Sequence, residues 1–121
     1  MNGREGRKTL PLIYACSGCS SVAQLANDLA LNLDHRGLAE MSCISGVGGE
    51  VPALVKTARS GRKVIALDGC PFHCTEACLN RIDVAVDNHI RLYDLGIRKK
   101  LGVKASAEDF STALRFIEQQ I

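Results

Sequence analysis

Residues 63–74 read Lys63-Val-Ile-Ala-Leu-Asp-Gly-Cys-Pro-Phe-His-Cys74, and the fold follows from them. Val64 to Leu67 is an uninterrupted apolar run, the pattern of a strand covered on both faces. Asp68-Gly69 halts it, and Pro71 pre-sets the first turn of a helix predicted to reach about Ile82. A buried strand running directly into a helix is the repeating half of a βαβ unit.

The same unit recurs on either side. Upstream, Leu10 to Cys16 is a second buried run, and Ser20 and Ser21 can cap a helix whose apolar positions Val22, Leu25, Ala26, Leu29 and Leu33 keep helical spacing. His35-Arg-Gly37 ends that helix, with basic residues in its last turn and glycine at the cap. Leu38 to Ile44 reads as a weaker strand, Gly46-Val-Gly-Gly49 as a turn, and Val51 to Arg59 as a helix with Pro52 in its first turn. Ser60-Gly-Arg62 is the turn into the stretch quoted above. Downstream, His89 to Leu95 is predicted as a fourth strand, Gly96 to Lys104 as a basic loop, and Ser106 with Asp109 opens a last helix with Phe110, Ala113, Leu114, Ile117 and Ile121 on one face. The order βαβαβαβα predicts a three-layer α/β fold: a doubly wound, mostly parallel four-stranded sheet in order 2-1-3-4, Rossmann- or flavodoxin-like. One domain is expected over residues 9–121, after a disordered lead-in over residues 1–8.

Bulk properties narrow the function. The 121 residues suffice for a core without disulfide staples. Net charge is +2, which without a basic stripe argues against nucleic acid as partner. Arg4, Arg7 and Lys8 before Leu10 to Cys16 imitate a short signal peptide, but that apolar stretch is short, contains Pro11 and Tyr14, and supplies the first strand. No segment has membrane-spanning length, so a cytoplasmic protein without a membrane partner is expected.

Cysteine placement carries the chemistry. Cys16 and Cys43 fall at the ends of predicted strands and Cys19, Cys70 and Cys74 just after them, so a parallel sheet gathers them at its carboxyl edge, where open α/β sheets bind ligands. In a reducing compartment such clusters read as metal-binding or redox thiols. Zinc takes four soft or borderline donors, and Cys16 with Cys19 and Cys70 with Cys74 are two pairs at helix starts, where the dipole favours thiolate. Cys43 is a fifth ligand, a supporting thiol or a resolving cysteine; Cys78, one turn beyond Cys74, reads as packed. Asp68 can cap the next helix, orient a ligand or accept a proton. His73, between two candidate ligands, is a solvated loop residue or a replacement ligand, while His35 and His89 read as structural. Arg98-Lys-Lys100 is a solvated basic loop or a counter-charge to thiolates. Glycines 46, 48 and 49 fit a phosphate loop poorly, since Val51 stands where a dinucleotide fingerprint needs glycine.

In Asp68-Gly69-Cys70, Cys16-Ser-Gly-Cys19, Cys43-Ile-Ser-Gly-Val-Gly-Gly49 and Asp94-Leu-Gly-Ile97, the chain resembles the DGC-domain family over about residues 10–104. The resemblance implies zinc held by four cysteines, matching here Cys16, Cys19, Cys70 and Cys74 with Cys43 competing for one place, and no assigned reaction. The expected function is therefore zinc binding. Thiol-disulfide exchange at Cys16 and Cys19, or an iron-sulfur cluster on the same thiolates, are the alternatives.

Overall fold

The computed structural model describes residues 7–121. Four strands, β1 (Leu12–Ala15), β2 (Glu40–Met41), β3 (Val64–Asp68) and β4 (Asn88–Arg91), form an all-parallel sheet in the predicted order 2-1-3-4. Both central strands are buried at every position, as their unbroken apolar runs require. Residues 1–6 of the expected lead-in lie outside the described residues; Arg7 pairs with Asp34 and Glu40.

Alternation along the strands sorts side chains into two cores. Ile13, Ala15, Ile65 and Leu67 pack under α1 (Ser21–His35) and α5 (Ala107–Gln120) with Leu25, Leu29, Leu33, Ala113 and Ile117. Leu12, Tyr14, Val64 and Ala66 pack on the other face with Val47, Ala58 and Leu79, from α2 (Ile44–Gly48), α3 (Pro52–Ala58) and α4 (Cys74–Arg81). Fully burying a Leu or Ile side chain contributes about 1.5–3 kcal/mol, so each face is held by several such anchors. Ser20 caps α1 by accepting from the Ala23 amide at 3.1 Å, and Ser106 caps α5 through the Asp109 amide at 3.0 Å. The α1 helix ends as read, with Gly37 taking φ +73°.

Four boundaries differ from the sequence reading. The helix expected to open at Pro71 begins at Cys74, because Pro71 and Phe72 form a turn closed by the His73 amide donating to the Cys70 carbonyl at 3.3 Å. The strand expected over Leu38 to Ile44 shrinks to two residues, because Cys43 leaves the sheet to start α2, its sulfur accepting from the Gly46 amide at 3.3 Å. Gly46-Val-Gly-Gly49 accordingly enters a short helix instead of a turn, where a side chain at Gly46 would collide with Leu54. The fourth strand ends at Arg91, and Leu92–Leu95 tightens into a 3-10 turn closed by Gly96 at φ +80°.

Candidate metal centre at the carboxyl edge of the sheet

Three segments leave the carboxyl edge side by side. In register, Ala15 of β1 faces Leu67 of β3, which brings Cys16 beside Asp68-Gly69-Cys70. The Gly69 amide donates to the Cys16 sulfur at 3.3 Å, joining the first and third cysteine segments directly. Glycine is required there: a Cβ on residue 69 would lie 2.7 Å from the carbonyl carbon and oxygen of Val22, in the first turn of α1. Only a residue without a side chain lets helix and strand approach that closely.

Burial pushes the Cys16 thiol up to about 11, and the charges of Asp68, Cys70 and Cys74 push the same way against the Gly69 hydrogen bond. Cys16 is therefore a neutral thiol near neutral pH. The expected dipole stabilisation does not reach it: α1 begins at Ser21, after the Cys16-to-Cys19 loop. Cys74, the first residue of α4, and Cys43, the cap of α2, are the thiols at helix starts.

The remaining cysteines are graded by exposure. Cys19, Cys43 and Cys74 are exposed, Cys16, Cys70 and Cys78 half-buried, and all six are free thiols. The Lys99 ammonium donates to the Cys70 sulfur at 3.8 Å and lies 4.6 Å from the centre of the Phe72 ring, so the basic loop does face the cluster. Cys78 packs against the α2–α4 core, its sulfur 3.3 Å from where a Cβ on Gly48 would stand, and burial raises its pKa, with Cys74 and Asp68 adding to the shift. No trio of sulfurs lies within 4.8 Å of one another among the described residues.

Asp68 is the polar centre of the edge. It is 1% exposed, and its carboxylate accepts from the Thr75 amide at 2.8 Å, the Glu76 amide at 3.2 Å and His89 Nε2 at 2.7 Å. It is thus both the cap of α4 and the anchor of His89. His89, read from sequence as structural, thereby has a defined partner. His73 is likewise not a solvated loop residue: it stands immediately before α4 with φ +53°, making no side-chain cap bond, and its Nε2 lies 2.6 Å from the Tyr93 hydroxyl. Its Nδ1 and that of His89 each stand 3.5 Å from an oxygen of Glu76. One ligand atom from each of His73, Glu76 and His89 lies within 4.8 Å of the other two. Sequence offered a partial signal in His73-x-x-Glu76 at helical spacing. His89 is brought in only by the β3–β4 pairing, where Ala66 faces it.

The DGC-domain profile matches residues 12–117, the span of the sheet and its helices. The chain belongs to the DGC-domain family. In this DGC domain, Asp68 is the buried cap of α4, Gly69 the point of close approach to α1, and Cys70 the sulfur beside Lys99. A relative in Pseudomonas aeruginosa, the anaerobic and virulence modulator AnvM, is 61% identical over 100 residues, covering 83% of this chain and 76% of that protein. No solved structure matches. No helix among the described residues is long and apolar enough to cross a membrane.

Proposed function

We propose that this DGC domain is a zinc-binding protein that holds the ion on cysteine thiolates at the carboxyl edge of its sheet, without an assigned catalytic reaction. Cys16, Cys19, Cys70 and Cys74 form the ligand set, with Cys43 beside it. The supporting observation is the convergence around Gly69: Cys16 is bonded to the Gly69 amide and lies near enough to Cys70, Cys74 and Asp68 for their charges to act on its thiol.

The donor chemistry suits zinc, which accepts four thiolates, displaces their protons and sits about 2.3 Å from each sulfur. Two half-buried sulfurs, Cys16 and Cys70, supply the fixed side of such a site, and the exposed Cys19 and Cys74 supply the side that closes on the ion. Lys99 provides a positive charge against the excess negative charge of bound thiolates. A thiol-disulfide enzyme at Cys16 and Cys19 is the weaker reading, because an attacking sulfur must be a thiolate near neutral pH and Cys16 is pushed up to about 11.

Free thiols suit a reducing compartment, and we place the protein in the cytoplasm on that ground. By its identity to the Pseudomonas protein, the chain acts as a modulator of comparable kind, its thiolate metal being the part sensitive to oxidation. Elemental analysis of anaerobically purified protein tests the metal assignment. Zinc near one equivalent, lost in Cys16→Ser and Cys70→Ser, is expected. A brown protein with iron and sulfide replaces zinc by a cluster, and zinc content indifferent to both substitutions removes the thiolate site.

A further inference from the structure

The imidazole arrangement beside the thiols poses a hydrogen-bonding problem that thiolate ligation does not solve. Asp68, as a buried carboxylate, only accepts, so His89 Nε2 at 2.7 Å carries the hydrogen. In a neutral ring that leaves His89 Nδ1 as a lone pair, and it faces Glu76 Oε2, another acceptor, at 3.5 Å. His73 Nε2 is engaged at 2.6 Å by the Tyr93 hydroxyl, which can donate or accept; when it accepts, His73 Nδ1 is likewise a lone pair facing Glu76 Oε1 at 3.5 Å. In that tautomer three acceptors, His73 Nδ1, His89 Nδ1 and the Glu76 carboxylate, point at one small space. The two rings meet edge to face with centroids 4.7 Å apart.

From this geometry we infer a second metal site, built of nitrogen and oxygen donors, in which His73 Nδ1, His89 Nδ1 and the Glu76 carboxylate bind a divalent transition-metal ion. It stands independently of the thiolate reading. Zinc–nitrogen bonds of about 2.0–2.1 Å make a tetrahedral edge of about 3.3 Å, and the two nitrogen-to-carboxylate separations are each 3.5 Å. The outer partners are those of an oriented metal ligand, since a metal-bound histidine donates its other ring N–H to a carboxylate or comparable acceptor. Asp68 does this for His89 and the Tyr93 hydroxyl for His73. The scaffold is fixed: Asp68 is itself held by two amides of α4, and the same helix carries Glu76. His89 is 13% exposed and His73 and Glu76 about one-third, so an ion reaches them from solvent. Three protein donors leave a coordination position for water or a small anion.

The test is nitrogen NMR of the histidine rings in the full chain as zinc is added in steps to about two equivalents, enough for one ion at each of two sites. Expected is movement of both Nδ1 signals to the metal-bound range while each Nε2 keeps its hydrogen. Glu76→Gln, at a side chain that is one-third exposed, is expected to weaken this response at least about 10-fold, and Tyr93→Phe by about 10-fold, the range for losing an outer partner. Cobalt reports the other site separately, because only sulfur ligands give a thiolate charge-transfer band; that band is expected to survive Glu76→Gln and vanish in Cys16→Ser with Cys70→Ser. Ring signals that do not move with zinc, coordination through Nε2, or a Glu76→Gln response equal to wild type overturns the inference. A missing cobalt band with normal histidine shifts instead removes the thiolate site alone.

Discussion

Replacing Asp68 with alanine removes one carboxylate and leaves three donors without an acceptor. Two are backbone amides of the first turn of α4, at Thr75 and Glu76, and the third is His89 Nε2. Their costs differ with access to water. Thr75 is 0% exposed, so its amide stays unpaired and contributes the full penalty of about 1–3 kcal/mol. Glu76 and His89 are near enough to the surface to bond water, so each loses only the surplus of a charged over an aqueous partner, about 1 kcal/mol. The total is about 3–5 kcal/mol, a large fraction of a typical domain stability of about 5–15 kcal/mol. Asp68→Asn keeps an acceptor for Thr75 but turns an amide group toward donors, and is expected to cost about 1–3 kcal/mol. Urea unfolding followed by circular dichroism, with a chelator present so that bound metal does not add to stability, measures both. An Asp68→Ala loss below about 1 kcal/mol refutes the idea that this carboxylate holds α4 to the sheet.

Gly69→Ala forces a Cβ to 2.7 Å from the Val22 backbone and is expected to destabilise by about 1–3 kcal/mol; an unchanged urea midpoint contradicts the close approach. In metal-stripped protein, alkylation of Cys16 is expected to accelerate only as pH approaches about 11, and mass mapping of the labelled thiol checks this; half-maximal rate at pH 9.0 or lower, the ordinary thiol range, refutes it. The folded state keeps that proton where the unfolded chain has lost it. The stability this adds is full below about pH 9.0 and is lost as pH rises through about 11, by about 1–3 kcal/mol with partial exposure screening the effect, a trend that unfolding across that window detects. Cys43→Ser is expected to preserve the α2 cap and Cys43→Ala to cost about 0.5–2 kcal/mol, compared by thermal unfolding; equal losses mean the sulfur-to-Gly46 bond contributes nothing.

The fold was legible because its strands are buried on both faces, so Leu12 to Ala15 and Val64 to Asp68 announce themselves as apolar runs, and Ser20 and Ser106 cap where hydroxyls precede amphipathic segments. Boundaries near Cys43 were not, because a thiol as helix cap and Gly46 packed against Leu54 are tertiary choices that local propensity does not encode. At the site, spacing could place Cys16 and Cys70 on one edge but not show that burial dominates the Cys16 thiol. His89 lies twenty-one residues from Asp68 in sequence. Only the pairing of β3 with β4 sets the two together, so no motif could have linked them.

The central claim is a zinc ion held by sulfur at the carboxyl edge of the sheet, and X-ray absorption at the metal edge of anaerobically purified full-length protein tests it most directly. The account predicts zinc with sulfur scatterers at about 2.3 Å, diminished in Cys16→Ser and Cys70→Ser. A zinc shell of nitrogen and oxygen alone at about 2.0–2.1 Å, unchanged by either substitution, contradicts it.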